Sequence, residues 1–202
     1  ALVSSGRRIP RNLKNGLNSL KIANLNKLDG IKIHSSDLGN MHLLEEIKRY
    51  TGKIFISAGG GTLPELVEFI NPLLDAGNSK ELILMHGFQT YPTPVAEANL
   101  DKITLFQQLF GDNIKYGYMD HIDASSPLAS SVPLSLVSLG IEYIEKHITH
   151  NRDLKGVDYH SSFEPPELQK FIASSKNIIR AYGNQENFFS DSECVYRNQV
   201  KK

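Results

Sequence analysis

Apolar and polar segments alternate along this chain in a regular way. Short, nearly continuous apolar runs alternate with stretches in which apolar residues recur every three or four positions, the patterns of buried strands and amphipathic helices. The apolar runs predict six strands, at residues 1–5, 30–36, 53–61, 81–87, 114–119 and 141–148. Helices are predicted at residues 7–25, 41–50, 62–74, 95–110, 127–139 and 165–182. A strand and a helix repeating at roughly 30-residue intervals are typical of a parallel sheet.

The ends of the predicted strands narrow the fold class. This alternation builds either an open doubly wound sheet or a (β/α)8 TIM barrel, both in the α/β class. Every predicted strand ends in polar residues, namely Ser4-Ser5, His34 to Asp37, Ser57, His86, Asp120-His121 and His147. In a barrel such ends converge on one face, whereas an open sheet spreads them along an edge. The pattern therefore favours the TIM barrel.

The number of predicted units bears on domain organisation. Six β/α units do not close an eight-unit barrel, so we expect the C-terminal portion of a barrel whose first units are missing. We assign residues 1–185 to this barrel domain. The polar segment 186–202 is expected to be a linker toward a further domain.

Composition excludes several classes of partner. The chain has 202 residues, 40% of them hydrophobic, and a formal net charge of zero, so neither nucleic acid nor an anionic membrane is expected as a partner. No apolar run approaches the roughly 20 residues that cross a bilayer. No signal-peptide pattern opens the chain, and the single cysteine, Cys194, excludes an internal disulfide. Because a lone cysteine suits a reducing compartment, we expect a cytoplasmic protein.

Two histidines follow neighbouring predicted strands, in Gly117–His121 and Glu145–Arg152. His121 and His147 should point into one space, where imidazoles can hold a divalent metal. A histidine at a strand end can equally be a hydrogen-bonded core residue. Glu145 shares a face with His147, so it can orient an imidazole or pair with Lys32 inside the barrel.

Three further positions are candidates for binding anions and hydroxyl groups. Lys32 lies in an otherwise apolar strand, so it should meet either a carboxylate or a substrate phosphate. The glycine-rich loop 57–62 precedes a helix and offers backbone amides to a phosphate, although a plain tight turn explains it equally well. Asp158 lies in a loop after the last predicted strand, where it can bind sugar hydroxyls or simply be solvated.

Several segments in this order resemble the sialic acid synthase family, which includes N-acetylneuraminate, legionaminate, pseudaminate and spore-coat polysaccharide synthases. The segments are HGFQTYPTP (86–94), GYMDH (117–121), EKHITHNR (145–152) and GVDYHSSFEP (156–165), with IKIHSSD (31–37) and ISAGGGT (56–62) before them. The resemblance covers about residues 28–200. It implies a (β/α)8 barrel followed by a small antifreeze-like domain, in an enzyme that acts as a homodimer.

The resemblance also implies an activity and its residues. Such enzymes condense phosphoenolpyruvate with N-acetylmannosamine or a related 2-acetamido sugar, using Mn²⁺ or Mg²⁺, and release phosphate. His121 and His147 would be the metal ligands. The catalytic group would comprise Lys32, Tyr91 and Glu145. Substrate contacts would come from Lys32, Ser35, Asp37, Ser57, Gln89, Tyr91 and Asp158.

This sequence departs from the family pattern at three positions. Met119 replaces a serine that touches phosphoenolpyruvate, Gln89 stands where asparagine is typical, and Asp37 where glutamate is common. These changes favour an acceptor sugar other than N-acetylmannosamine itself. Two alternatives stay open: a metal-dependent barrel aldolase or hydrolase, and a non-catalytic sugar-binding relative. Met119 is the feature that favours the non-catalytic relative.

Overall fold

A computed structural model describes residues 28–77, 81–183 and 189–201. Within them six parallel strands form one sheet in chain order. The strands are β1 (Gly30–Ile33), β2 (Lys53–Ser57), β3 (Leu82–His86), β4 (Lys115–Asp120), β5 (Tyr143–Ile148) and β6 (Ser162–Phe163). Because each strand pairs with the next along the chain, these six show no reversal of order such as a doubly wound sheet has.

Helices connect or follow the strands. They are α1 (Met41–Ile47), α2 (Leu63–Asp75), α3 (Lys102–Phe110), α4 (Leu128–Ser135), α5 (Pro165–Tyr182) and α6 (Asp191–Val200). The segment Thr62-Leu63-Pro64-Glu65 has the residue spacing of a capping box, which predicts a helix start. Helix α2 begins there, because Thr62 and Glu65 each bind the other's backbone amide. In the described part of the chain, no helix combines the length and apolarity that crossing a bilayer requires.

The sheet is strongly curled. In a flat sheet, β1 and β5 would lie about 19 Å apart, at about 4.8 Å per strand. Yet Lys32 Nζ on β1 lies 2.7 Å from both carboxylate oxygens of Glu145 on β5. Lys53 on β2 likewise donates to the hydroxyl of Tyr143 on β5 at 2.9 Å. These contacts across the concave face show a partial (β/α) barrel, as predicted.

The concave face carries an apolar layer below the strand ends. Phe55, Ile83, Met85 and Met119 are buried there, and Tyr143 packs edge-to-face on Phe55 with ring centres 5.3 Å apart. A Cβ added at the neighbouring Gly117 would come within 2.3 Å of Met85 Sδ, so glycine leaves the space that this methionine fills.

The larger core lies on the convex face, beneath the helices. Strand residues alternate between the two faces, so Ile54 and Ile56 pack outward while Phe55 and Ser57 point inward. Helices α1, α2 and α3 complete this core with apolar side chains at helical spacing, among them Leu43, Leu44, Ile47, Leu66, Phe69, Ile70, Leu73, Phe106 and Phe110.

A buried ion pair joins β4 to β5 on the convex face. Lys146 donates to Asp120 and to the carbonyl oxygen of Ala129, and its ammonium lies 3.9 Å from the centre of the Phe163 ring. Burial raises the pKa of Asp120 and lowers the pKa of Lys146, so each charge depends on the other for compensation. Lys146 therefore points away from Glu145, as strand alternation predicts.

Some elements differ from the sequence prediction. The strand at 1–5 and the helix at 7–25 lie outside the described residues. The two-residue strand β6 is too short to give a periodic signal. The helix predicted at 95–110 begins only at Lys102, because Asn99 adopts a left-handed backbone conformation with φ of 44°. Within the predicted linker, α6 forms behind a capping box of Ser190 and Glu193, a signal present in the sequence.

The Asp120–Lys146 pair should be essential for stability. Asp120→Asn leaves an uncompensated ammonium in the core, and we expect it to lower the free energy of unfolding by about 3–5 kcal/mol, measured by urea denaturation. The double variant Asp120→Asn/Lys146→Met should recover most of this loss. Glu45→Gln, which removes the exposed pair Glu45–Lys48, is the control and should change little. An Asp120→Asn protein as stable as wild type would contradict this account.

Candidate active site

Two imidazoles meet at the carboxyl ends of β4 and β5. His121 directly follows β4 and His147 lies near the end of β5. Their ring centres are 5.1 Å apart, and His121 is 3% exposed. The two histidines of the sequence analysis therefore point into one space.

Both imidazoles are held in the neutral state. His121 Nδ1 donates to the carbonyl oxygen of Phe88 at 2.8 Å, which leaves Nε2 as the free lone pair. Burial lowers the pKa of His121. Burial, followed by the neighbouring His121, lowers the pKa of His147 to about 4, against the opposing charges of Asp158 and Glu145. Neutral imidazole is the form that binds a metal.

Tyr91 and Asp158 border the histidine pair. The Tyr91 ring centre lies 4.5 Å from that of His121 and 5.5 Å from that of His147. Asp158 Oδ2 is 3.6 Å from His147 Nδ1, close to the ring but beyond hydrogen-bonding distance. Burial raises the pKa of Tyr91, and the carboxylates of Asp158 and Glu145 raise it further. The phenol therefore stays protonated and can donate a hydrogen bond.

Lys32 and Glu145 bind each other within the same concave surface. Burial alone would raise the pKa of Glu145, but the charge and hydrogen bonds of Lys32 outweigh it and hold that pKa below its ordinary value. Glu145 thus pairs with Lys32 instead of orienting an imidazole, and the Phe88 carbonyl fixes the tautomer of His121 instead. The reason is geometric, since the curl of the sheet brings the ammonium to both carboxylate oxygens.

Gln89 connects Ser57 to a residue that the sequence analysis left out. Its Nε2 donates to Ser57 Oγ at 3.0 Å, and its Oε1 lies 3.0 Å from His34 Nε2. His34 follows β1 and shares the inward face with Lys32 by strand alternation, a signal that could have identified it. Ser57 itself is fully buried.

The glycine-rich loop after β2 has three of its amides already engaged. Ala58 N donates to the carbonyl oxygen of Met85, Gly61 N to that of Ala58, and Thr62 N to Glu65. Ser35 faces this loop, with its Oγ 3.9 Å from the position of a Cβ built on Gly60. Ser35 and the loop therefore border the same end of the barrel as Ser57.

Two polar residues near strand ends lie apart from this cluster. His86 points to the convex face, where it is buried and hydrogen bonds to the Ala98 carbonyl oxygen. Asp120 is on that face too, bound to Lys146. Asp37 ends the short helical turn Ser35–Asp37 after β1. Alternation sends every second strand residue outward, so polar strand ends do not all converge.

The histidine pair offers two imidazoles that can bind a metal ion. Among the described residues, no group of three or more His, Cys, Asp or Glu side chains is arranged to hold a metal. Two neutral imidazoles with ring centres 5.1 Å apart, one fixed through its Nδ1, nevertheless suit a divalent transition metal. The residues present therefore fit part of a coordination sphere, with other positions left to water or substrate.

Residues 16–187 of this chain match the NeuB family. The chain belongs to the NeuB family. It is 32% identical over 187 residues to the N,N'-diacetyllegionaminic acid synthase of Campylobacter jejuni, which covers 92% of this chain and 54% of that protein. It is 29% identical over 192 residues to the N-acetylneuraminate-9-phosphate synthase of Homo sapiens, covering 93% and 50% respectively.

Solved structures agree with the family. The N-acetylneuraminic acid synthetase of Leptospira borgpetersenii, determined in complex with citrate, superposes with a TM-score of 0.75 at 26% identity, over 93% of this chain and 64% of that one. The spore coat polysaccharide biosynthesis protein of Bacillus subtilis shares the fold, with a TM-score of 0.75 at 23% identity, over 82% of this chain and 45% of that one. The chain spans about half the length of the curated relatives it matches.

The environment of His147 predicts its titration. In metal-free protein we expect its imidazole to titrate near pH 4, below the ordinary 6.5, because burial and His121 disfavour the charged ring. Side-chain NMR across a pH series measures this value, with urea-unfolded protein as the reference for an ordinary histidine. Asp158→Asn should lower the pKa of His147 further, since Asp158 favours protonation. A His147 that titrates at 6.5 or above would contradict the geometry.

Proposed function

We propose that this chain is the barrel portion of an enzyme that condenses phosphoenolpyruvate with N-acetylmannosamine or a related 2-acetamido sugar. The products are a nonulosonic acid of the sialic acid type and phosphate. Membership of the NeuB family supports this, together with relatives named as N-acetylneuraminate-9-phosphate and legionaminic acid synthases. The observation that carries the proposal is the meeting of the His121–His147 pair with Lys32, Ser57 and Tyr91 at one end of the barrel.

In this proposal His121 and His147 bind a divalent cation, Mn²⁺ or Mg²⁺. When bound, the ion would supply Lewis-acid polarisation of the sugar carbonyl. The Phe88 carbonyl would hold the ring of His121 through its Nδ1, while Asp158 lies close to the ring of His147. Burial keeps both rings neutral without a metal, so neither ring has to lose a proton before the ion binds.

Phosphoenolpyruvate carries a phosphate and a carboxylate, and the proposal assigns these groups to Lys32, Ser35, Ser57 and Gln89. An ammonium has three N–H groups, and since Glu145 takes two hydrogen bonds from Lys32, one remains for the substrate. Glu145 would act by fixing the position of that ammonium. The hydroxyl groups and the Gln89 amide would add donors from the neighbouring strand ends.

The acceptor sugar would lie on the side of Tyr91, Asp158 and Asp37. The protonated phenol of Tyr91 can donate to a sugar oxygen, and the carboxylate of Asp158 can accept from a hydroxyl group. In the reaction, C3 of phosphoenolpyruvate attacks the sugar carbonyl carbon and forms the new C–C bond, while the carbonyl oxygen takes up a proton and becomes a hydroxyl group. Water then adds to C2 and gives up a proton, and the C2–O bond to phosphate breaks. The protein's role is to hold the two substrates in the orientation that brings C3 to the carbonyl carbon.

The proposal extends to domain organisation, cellular location and oligomeric state. We place residues 1–185 in the catalytic barrel and residues 186–202, which include α6, on the way to a C-terminal domain. The enzyme would work in the cytoplasm as a homodimer, without a nucleic acid or membrane partner. The fully exposed helix α6 suits a segment that leads away from the barrel.

Phosphate release tests the proposed reaction. We expect the full-length protein to release phosphate only when phosphoenolpyruvate, a 2-acetamido sugar and Mn²⁺ or Mg²⁺ are all present, and chelation with EDTA should abolish the release. Ser57→Ala should raise KM for phosphoenolpyruvate about tenfold, the loss of one hydrogen bond to a charged group. Ser125→Ala, in an exposed turn where Ser125 binds Asp123, is the matched control. Sugar cleavage without phosphoenolpyruvate would identify an aldolase and overturn the proposal.

A further inference from the structure

A directed chain of hydrogen bonds runs from the end of β1 to the end of β2 through Gln89. Ser36 N donates to His34 Nδ1 at 3.2 Å, and Ser36 Oγ lies 2.9 Å from the same nitrogen. His34 Nε2 lies 3.0 Å from Gln89 Oε1, and Gln89 Nε2 donates to Ser57 Oγ at 3.0 Å. The β1–β2 register pairs Ile33 with Ile56, which brings the residues after them, His34 and Ser57, to the same level of the barrel.

The direction of every hydrogen bond in this series follows from the backbone amide of Ser36. An N–H group can only donate, so His34 Nδ1 must accept from Ser36 and the ring proton must be on Nε2. That N–H then donates to the Gln89 oxygen, which fixes the orientation of the amide group. The Gln89 NH₂ in turn faces Ser57. No other orientation of the Gln89 side chain satisfies both of its neighbours.

The series of hydrogen bonds ends at the hydroxyl group of Ser57, which can still donate its own proton. Since Ser57 Oγ accepts from Gln89, its own O–H is left to donate, and the second N–H of Gln89 is likewise a donor. Two adjacent donor groups at the end of the barrel, one strand from the Lys32 ammonium, suit an anionic oxygen.

Gln89 is also confined from its other side. A Cβ built on Gly59 would come within 2.3 Å of the Gly87 carbonyl oxygen and 3.2 Å of Gln89 Cγ, so the stem of Gln89 lies directly against the glycine backbone. The Gln89 side chain has several rotatable bonds. Contacts at its stem and at its oxygen restrict this freedom.

We propose that His34 is a positioning residue, which orients Gln89 and through it Ser57 as paired donors for the phosphate or carboxylate of the substrate. The inference rests on the proposed function for the identity of that substrate, phosphoenolpyruvate. It adds to that function a residue that acts without touching the substrate.

A simpler role for His34 makes a different prediction. His34 is the N-cap of the turn Ser35–Asp37, with Nδ1 accepting from Ser36 N. His34→Asn keeps an acceptor for this cap but cannot reach Gln89. His34→Gln has an amide that can reach Gln89 but is a poorer cap. The two variants therefore separate positioning from capping.

Calorimetric titration of the full-length protein with phosphoenolpyruvate, and separately with inorganic phosphate, tests the inference. We expect His34→Asn to weaken binding about tenfold and His34→Gln to stay within about threefold of wild type. In a Gln89→Leu background, His34→Asn should have no further effect. Side-chain NMR of the Gln89 NH₂ group should show its resonances moving in His34→Asn and staying in His34→Gln, which also reports whether each variant is folded.

The outcomes separate this inference from the proposed function. Wild-type affinity in His34→Asn, or equal loss in both His34 variants, would overturn the positioning role while leaving the function intact. Binding of inorganic phosphate that depends on His34, without binding of phosphoenolpyruvate, would support the positioning role and refute the proposed substrate. A wild-type protein that binds neither anion would refute both.

Discussion

The geometry of this protein depends on the curl of its sheet, which is seen most directly in the ion pair between Lys32 and Glu145. This ion pair joins the first and fifth described strands across the concave face of the sheet, with the ammonium 2.7 Å from both carboxylate oxygens. That contact is possible only in a curled sheet, and the same curl turns the ends of β4 and β5 toward the ends of β1 and β2. The candidate metal ligands and the candidate anion-binding residues face one another for this reason.

Strand alternation divides the charged residues between two environments. Glu145 and Lys146 are adjacent in sequence, but Glu145 points into the barrel and Lys146 into the core beneath the helices. A buried charge is costly without a partner, and each side supplies one: Lys32 inside and Asp120 outside. The inner pair is partly exposed and keeps one N–H available, whereas the outer pair is enclosed. Only the inner pair is therefore suited to a role in binding.

Met119, where the resemblance leads to the expectation of a serine, lies in the apolar layer of the concave face. Met119 is 1% exposed and packs with Phe55, Ile83 and Met85, so its side chain extends the apolar layer beneath the site. The proposed anion site therefore depends on the ends of β1, β2 and β3, where Gln89 contacts Ser57 and His34.

Local periodicity was sufficient to predict five of the six described strands, the capping box of α2 and the inward direction of His121 and His147. These features follow from spacings of two and three to four residues, which the chain encodes directly. The partner of Lys32 is 113 positions away, and that of Gln89 is 55 or 32 positions away. Such pairs depend on the curvature and register of the whole sheet. Periodicity therefore could not decide whether Lys32 meets a carboxylate or a substrate phosphate, and it assigned no role to His34. These pairs form because the folded barrel places side chains from distant strands within hydrogen-bonding distance.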